Sequence, residues 1–286
     1  MFDRRAKNAE IFNDTEQIYS SDKTLKTAIN NSIHNQKMIF ESNDVEYEKA
    51  DGREGKVVVS GKRTLEASES YAKQGKNVCV LNFASATNPG GGVIHGSSAQ
   101  EEAICRCSTL YPCLNTKEMW DKFYIPHRNA DNPLYNNDCI FTPAVKVFKG
   151  DVNFPELLSE KDWWDVDVIT CAAPNLRKIP SNQMNPNAGS KQADISQEGL
   201  RALNTGRVQR IFEVAMANKA DVLILGAFGC GAFCNPPELV AEVFAKYTEK
   251  YRGYFDVIEY AVFYKEREKA NYVAFKEAME ELNKDK

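Results

Sequence analysis

The stretch "NVCVLNFASATNPGGGVIHGSSAQEEAICR", residues 77–106, passes from an apolar run through three consecutive glycines to a pair of glutamates. The near-continuous apolar run at 77–84 is typical of a strand that is covered on both faces of a sheet. The residues after the glycines predict a helix from about Ser98 to Leu110, with the glutamates in its first turn. A strand, a glycine loop and a helix in this order are typical of an α/β protein.

Two interpretations of Glu101 and Glu102 are open. Ser98 and Glu101 have the spacing of a capping box, and the helix dipole favours each first-turn carboxylate by roughly 0.3–1 kcal/mol. Alternatively, the pair takes part in chemistry. Neighbouring helical residues point about 100° apart, so one carboxylate would reach the reacting bond while the other binds or orients. A first-turn position lowers a carboxyl pKa, whereas a general acid needs a raised pKa, so we expect desolvation by the bound ligand to supply the rise.

A second glycine loop lies late in the chain, in "DVLILGAFGCGAFCNPPELVAEVF", residues 221–244. Gly226, Gly229 and Gly231 leave this loop without Cβ atoms at close intervals, so backbone N–H groups can approach a ligand. In a parallel sheet, ligands bind beyond the carboxyl ends of the strands, and both glycine loops leave strands at that edge. The two loops are therefore predicted to face one crevice, one on each side of a diphosphate. The alternative is a tight strand-to-helix turn in which the glycines serve packing only.

The helix after this second loop has a marked start. Asn235 is predicted as its N-cap, with Pro236 at the first helical position and Glu238 at capping-box spacing. The loop is not a P-loop, because no Gly-Lys-Ser/Thr follows it, and it does not match G-x-G-x-x-G.

Strands alternating with helices predict a mixed, mainly parallel sheet with helices on both faces. Residues 1–54 are predicted as an N-terminal helical segment packed on a catalytic domain at 55–286, with Leu25, Ile29 and Ile33 at helical spacing. Further strands are predicted at 55–61, 138–151 (as strand or hairpin), 165–176 and 255–264. Further helices are predicted at 64–75, 198–220, 236–251 and the C-terminal tail, with a long loop at 112–137 and a turn-rich, mobile segment at 179–194.

Composition excludes several classes of protein. The chain has 286 residues, of which 43% are hydrophobic, and a net charge of -4, which gives no polybasic surface for direct nucleic-acid binding. No apolar run reaches the length of a membrane span, and the N-terminus lacks the apolar core of a secretory signal. Eight cysteines without a C-x-x-C pair are expected to be reduced thiols in a cytoplasmic protein. Three isolated histidines predict neither a metal nor a cofactor.

With both loops in place, the chain resembles the microbial-type poly(ADP-ribose) glycohydrolases, which are built on a macrodomain. The resemblance covers about residues 55–265. "GGGVIHGSSAQEE" is similar to the glycine triplet, spacer and Gln-Glu-Glu signature of that family, and "LGAFGCGAFCNPP" is similar to its second ligand loop.

The resemblance implies a glycosidase that cleaves the ribose–ribose bond of poly(ADP-ribose) and releases ADP-ribose. It implies that Glu102 is the catalytic acid and base and that Glu101 orients a ribose. It also implies that Phe233 packs on the terminal ribose. The substrate-binding residues implied are Asn88, Gly90, Gly91, Gly92, Gln100, Gly229, Cys230, Gly231, Ala232 and Phe233. The expected partners are ADP-ribose, the polymer and ADP-ribosylated proteins, bound by a monomer.

Several expectations concern the ends of the ligand. Asn88 is the nearest amide to the glycine triplet, and it either contacts ribose or shapes the turn. Phe263 and Tyr264, at the end of the last predicted strand, could stack on the adenine or belong to the core. Asn175, at the end of another predicted strand, is a further candidate for contact with the ligand. The negative net charge favours cleavage at a chain terminus over binding along the polymer.

Other functions use the same loops. An ADP-ribose-binding macrodomain would need no acid beside a glycosidic bond, so the glutamate pair favours an enzyme. A macrodomain hydrolase acting on ADP-ribose attached to protein or nucleic-acid bases differs only in the shape of its pocket. An unrelated α/β nucleotide enzyme is disfavoured because both common phosphate fingerprints are absent.

Overall fold

The computed structural model describes residues 3–50, 52–53, 55–183 and 185–284. The strands within these ranges are β1 (Lys37–Ile39), β2 (Lys56–Ser60), β3 (Val78–Phe83), β4 (Cys139–Val147), β5 (Trp164–Cys171), β6 (Val222–Leu225) and β7 (Val257–Ala261). They form one sheet in the order β1-β4-β5-β3-β6-β7-β2. Neighbours from β5 to β2 run parallel, whereas β4 is antiparallel to both β1 and β5. The predicted mixed, mainly parallel sheet is therefore confirmed.

Helices cover both faces of this sheet. In chain order they are α1 (Arg4–Ser21), α2 (Lys23–Asn35), α3 (Thr64–Ala72), α4 (Gln100–Cys107), α5 (Leu110–Leu114), α6 (Lys117–Met119), α7 (Ile125–Ala130), α8 (Gln197–Ala217), α9 (Pro237–Tyr251) and α10 (Ala270–Lys284). Short 3-10 turns at Val93–His95, Glu160–Asp162 and Arg252–Tyr254 and a π-helical turn at Trp120–Tyr124 complete the helical structure.

Alternate residues of each central strand serve the two halves of the core. In β3, Cys79 and Leu81 pack with α8, α9 and α10 on one face, whereas Val78 and Val80 pack with α1, α3 and α4 on the other. The side chains of a strand point alternately to the two faces of a sheet, so a strand buried on both sides must be apolar throughout. This burial accounts for the unbroken apolar run from which the sheet was predicted.

The predicted loop at 112–137 is wrong, because most of it is helical. It contains the end of α5, then α6, the π-helical turn and α7, and it buries the side chains of Met119, Phe123 and Tyr124. Two of its three prolines, Pro112 and Pro126, lie in the first turns of α5 and α7. Proline is tolerated there, because the first N–H groups of a helix have no intrahelical partner.

The N-terminal segment contributes more than helices. α1 and α2 confirm the predicted helical character, with Leu25 buried and Ile29 packed on the same cluster. In addition, β1 pairs with β4 at one edge of the sheet, which the sequence did not predict. The segment is thus joined to the sheet by backbone hydrogen bonds. The predicted boundary at residue 54 lies outside the described residues, and the division at that point stays a prediction.

All eight cysteines are free thiols, and six of them are buried. No helix in the described parts of the chain combines the length and the apolar character that crossing a bilayer requires.

Candidate active site

A cavity of about 600 Å³ opens at the carboxyl ends of the parallel strands. Segments that follow β3, β5, β6 and β7 line it, as expected for a ligand site of an open α/β sheet. The predicted site residues that line it are Gly91, Gly92, Gln100, Glu101, Glu102, Gly229, Gly231, Ala232 and Phe233. The two glycine loops therefore face one crevice.

The glycine triplet allows two carboxylates to approach its backbone. Gly91 has φ +58°, and a Cβ at this position would lie 2.6 Å from Glu102 Oε1 and 3.0 Å from Glu101 Oε2. Gly90 also has a positive φ, but a Cβ there would meet the side chains of Tyr111 and Val93 on the core side. Gly91 thus lines the cavity and leaves room for the two carboxyl groups. Gly90 does not line the cavity, and its missing Cβ allows close packing against the core.

Glu101 is held by the end of β3. Its Oε2 accepts from Ser85 N at 2.7 Å, and its Oε1 accepts from Asn82 Nδ2 at 3.3 Å. The alternative that Glu101 forms a capping box with Ser98 does not hold, because the N-cap of α4 is Ala99 and no side chain caps it. The Glu101 carboxylate binds the end of β3 instead. Its position in the first turn is therefore explained by a tertiary contact and not by helix capping.

Glu102 is held on one side only. Its Oε1 accepts from Gly92 N at 2.9 Å, which fixes the carboxyl group against the glycine triplet. Its Oε2 is buried and has no hydrogen-bond partner among the described residues. A buried carboxyl oxygen without a partner is costly unless a ligand supplies one. This atom is therefore available to accept or donate a hydrogen bond to a ligand in the cavity.

Burial raises the pKa of both carboxyl groups. For Glu101 the loss of water contact is the main cause and the neighbouring charge of Glu102 adds to it, so its pKa lies well above the ordinary range. Burial likewise raises the pKa of Glu102, against the opposing hydrogen bond from Gly92 N. Desolvation by the protein, rather than by the bound ligand as expected, already raises these pKa values in the direction that a general acid needs.

Gln100 fixes the start of α4 to β3. Its Oε1 accepts from Phe83 N at 2.8 Å, and its Nε2 donates to Leu81 O at 2.7 Å and to Thr64 Oγ1 at 3.0 Å. These three bonds use most of its amide group, so Gln100 aligns the first turn on which both glutamates stand. The predicted contact of Gln100 with substrate stays a prediction.

The second loop presents backbone to the opposite wall of the cavity. Gly229 has φ +73°, and a Cβ there would meet Ala173 and Asn235, so this glycine is required by the loop itself. At Gly231 a Cβ would meet nothing within 4 Å, which leaves the backbone open to a ligand. Cys230 does not line the cavity, and burial raises the pKa of its thiol to about 12.

Asn235 is not the N-cap that its position suggested. The N-cap of α9 is Pro236, and Pro237 occupies the first turn. The Asn235 side chain donates to Pro174 O at 2.7 Å and to Gly229 O at 3.1 Å, so it joins the loop to the segment after β5. A long-range bond has replaced the local one.

Asn185 is a site residue that the sequence did not reveal. Its Oδ1 accepts from Ser85 Oγ at 2.9 Å and from Thr87 Oγ1 and Asn88 Nδ2, each at 2.7 Å. The turn-rich segment 179–194 is thereby attached to the loop after β3. Asn88 itself does not line the cavity, because its amide group is engaged by Asn185 and Arg128. This favours the role of shaping the turn.

An aromatic residue and an arginine stand at the far end of the cavity. Phe263 lines it and is 49% exposed, with the guanidinium carbon of Arg63 4.3 Å from its ring centroid. Tyr264 does not line it and packs on Tyr272 at 4.6 Å between ring centroids. Asn175 is buried and bonded to neighbouring backbone, so only Phe263 of these predicted residues faces the cavity.

The N-terminal helix α1 forms part of the cavity wall. Arg4, Arg5 and Asn8 line it, and Asn8 Nδ2 donates to Gly96 O at 3.0 Å. The fully buried Lys149 holds this helix in place by donating to Asp14 Oδ2 at 2.7 Å and to Thr15 Oγ1 at 2.8 Å. The sequence gives no local signal for this contact, because the partners are about 135 residues apart.

The described parts of the chain hold no group of three His, Cys, Asp or Glu side chains that could bind a metal ion.

Comparison with known proteins identifies the family. The model of the family described as "Microbial-type PARG, catalytic domain" matches residues 6–150, just over half of the chain. The crystal structure of poly(ADP-ribose) glycohydrolase (PARG) from Thermomonospora curvata is 26% identical, with a TM-score of 0.79, and the match covers 96% of this chain and 100% of that one. No curated protein sequence matches the chain.

Two structures with bound ligands are also similar. PARG from Thermomonospora curvata bound to the inhibitor ADP-HPD is 26% identical with a TM-score of 0.76, over 96% of this chain and 99% of that one. PARG from Deinococcus radiodurans in complex with ADP-ribose is 26% identical with a TM-score of 0.75, over 89% of this chain and 97% of that one. The chain therefore belongs to the microbial-type poly(ADP-ribose) glycohydrolase family and is a glycosidase.

Proposed function

We propose that the protein hydrolyses the ribose–ribose bond at the ends of poly(ADP-ribose) and releases ADP-ribose, with Glu102 as the general acid and base. The observation that carries this proposal is the buried Glu102 Oε2, which lacks a partner among the described residues and belongs to a residue that lines the cavity. Its raised pKa suits an acid that must hold its proton until the bond breaks.

The cavity supports one placement of the ADP-ribose unit. The open backbone at Gly231 and the loop up to Phe233 suit the diphosphate, because N–H groups there are unshielded by side chains. The terminal ribose then lies between Phe233 and the glutamates. The exposed ring of Phe263, backed by Arg63, suits the adenine. ADP-ribose in the Deinococcus radiodurans relative agrees with a ligand of this class.

The reaction then follows from the two carboxyl groups. Protonated Glu102 donates its proton to the departing 2′-oxygen as the bond to C1″ breaks, and C1″ becomes oxocarbenium-like. The Glu102 carboxylate next takes a proton from the water that attacks C1″. The products are ADP-ribose and a polymer one unit shorter, and Glu102 is protonated again. Glu101, fixed by Ser85 N, binds the ribose and keeps the bond in reach of Glu102.

The first test measures substrate class. The purified protein is incubated with poly(ADP-ribose) and, in parallel, with mono-ADP-ribosylated protein, and the products are separated by chromatography. We expect ADP-ribose as the main product from the polymer, without accumulation of short oligomers, because cleavage occurs at the ends. Release from the mono-modified protein alone would contradict the proposal in favour of a mono-ADP-ribosyl hydrolase. Binding of ADP-ribose without any cleavage would indicate a reader.

A pH profile tests the role of Glu102 as the acid. Burial raises the pKa of Glu102, and the free enzyme is reactive only when this carboxyl group is protonated. We therefore expect kcat/KM to be constant at acidic pH and to fall by about tenfold per pH unit above the raised pKa. Aliquots returned to the starting pH and assayed again exclude irreversible inactivation. A kcat/KM that rises from acidic to alkaline pH would contradict the assignment.

We further propose that ADP-ribosylated proteins are the physiological partners of the protein, that it acts in the cytoplasm as a monomer, and that it needs no metal or other cofactor.

A further inference from the structure

Arg177 is a cavity residue to which the reaction above gives no role. Its guanidinium makes no hydrogen bond or ion pair with any residue in the described ranges, although the residue lines the cavity and is half-buried. The backbone beneath it is fixed, because Arg177 N donates to Asn175 Oδ1 and the preceding Leu176 N donates to Phe233 O at 2.9 Å. A positioned arginine without a partner in a cavity is suited to bind an anion of the ligand.

The order of the strands places Arg177 beyond the reacting bond. Along the sheet edge the order is β5, β3, β6 and β7, and Arg177 follows β5 whereas Phe263 follows β7. Glu102 lies against the loop after β3, between these two positions. Neighbouring strands are about 4.8 Å apart, so an ADP-ribose unit reaching from Phe263 to Glu102 crosses roughly 10 Å of sheet. The next group of the polymer then lies over β5.

The chemistry of that next group calls for a cation. The atom that leaves C1″ is the 2′-oxygen of an adenosine ribose, and the same ribose carries a pyrophosphate on its 5′-carbon. An arginine can donate two parallel hydrogen bonds to a phosphate group, and such charge-assisted bonds are stronger than neutral ones. A protein side chain that carries a single ADP-ribose offers no pyrophosphate at this place.

The charge of the surrounding segment agrees with an anionic ligand. Residues 168–193 contain Arg177, Lys178 and Lys191 and no Asp or Glu, in a chain whose net charge is -4. One carboxylate from elsewhere does reach this segment, because Asp131 Oδ2 accepts from Ser190 Oγ at 2.5 Å. The three cations still outnumber it in this segment, and Arg177 is the one of them that lines the cavity.

We propose that Arg177 binds the pyrophosphate of the leaving unit of poly(ADP-ribose) and so makes the enzyme selective for polymer. This inference rests on the proposed function, because it concerns the leaving side of the same bond. Arg177 acts on the unit that departs, whereas the glycine loops hold the unit that is released as ADP-ribose.

The test compares two substrates. One is poly(ADP-ribose), and the other is ADP-ribose that carries a small uncharged aromatic leaving group on C1″. For Arg177→Ala we expect the ratio of the two kcat/KM values, polymer over small substrate, to fall about tenfold, which corresponds to about 1.4 kcal/mol, because a charge-assisted hydrogen bond to the polymer is lost. Added salt is expected to lower this ratio more in the wild type than in the variant.

The matched control is Arg267→Ala, which removes the same charge from an exposed turn outside the cavity. We expect it to leave the ratio unchanged. An unchanged ratio in Arg177→Ala would overturn the inference. So would a loss of affinity for free ADP-ribose in calorimetry, because Arg177 would then belong to the site of the released unit. If the wild type cleaves neither substrate, the proposed function itself is wrong, whatever Arg177 does.

Discussion

Replacement of Glu102 by Gln is expected to lower kcat on poly(ADP-ribose) by about 10³-fold, within the range that general acid–base catalysis contributes. The amide keeps the shape of the side chain and can still accept from Gly92 N through Oε1, as the carboxyl does at 2.9 Å. It cannot donate a proton to the departing oxygen, and it cannot take one from water. Release of ADP-ribose, followed by chromatography, measures the loss.

Affinity for ADP-ribose separates catalysis from binding in this variant. A group that acts in the transition state affects turnover rather than affinity, so calorimetry should give a nearly unchanged Kd for Glu102→Gln. Glu118→Gln, at an exposed position outside the cavity, is the control for the same chemical change. Undiminished turnover in Glu102→Gln would remove this residue from the reaction, and a large loss of affinity would make it a binding residue.

Two neighbouring glutamates can differ in role because their carboxyl groups accept different numbers of hydrogen bonds. Both oxygens of Glu101 accept hydrogen bonds, from Ser85 N and Asn82 Nδ2, so this residue is fixed and its orientation is set. In Glu102, Oε1 accepts from Gly92 N, whereas Oε2 has no hydrogen-bond partner among the described residues. The geometry therefore supports the division into one positioning and one proton-transferring carboxyl group that the helix periodicity suggested.

The parts of the fold that could be predicted are those whose causes are local. β3 is an apolar run because both of its faces are buried, and Gly91 is needed because a Cβ there would collide with two carboxylates. Such constraints determine the type of residue within a short stretch of the sequence. They sufficed to predict the parallel strands and to bring both glycine loops to one crevice.

The parts that could not be predicted have long-range causes. Ser98 and Asn235 have the spacing of helix caps, but Asn235 instead donates to Pro174 O, and the carboxylate of Glu101 binds the end of β3. Asn185 accepts three hydrogen bonds from a loop about 100 residues away. Arg5 reaches the cavity because α1 packs on the turn at residue 96. No pattern in a short window records such contacts, since the partners meet only after the sheet has formed.

Gly91→Ala is expected to lower kcat by about 100-fold, because a misplacement of the catalytic group by about 1 Å can cost that much. The new Cβ would lie 2.6 Å from Glu102 Oε1 and 3.0 Å from Glu101 Oε2, so both carboxyl groups must move. Both are buried and hydrogen-bonded, which leaves them little room to give way. Steady-state kinetics on poly(ADP-ribose) measures the effect.

Backbone strain alone must be separated from displacement of the carboxyl groups. Gly91 has φ +58°, and an alanine in this left-handed region costs about 1–2 kcal/mol. Gly75 has φ +79° at the end of α3, where a Cβ would meet nothing within 4 Å, so Gly75→Ala carries similar strain far from the glutamates. Gly91→Ala should lose more stability than Gly75→Ala in denaturant unfolding, because its Cβ also meets two buried carboxyl groups, and only Gly91→Ala should lose activity. Equal activities would show that the contact between Gly91 and the carboxyl groups has no part in catalysis.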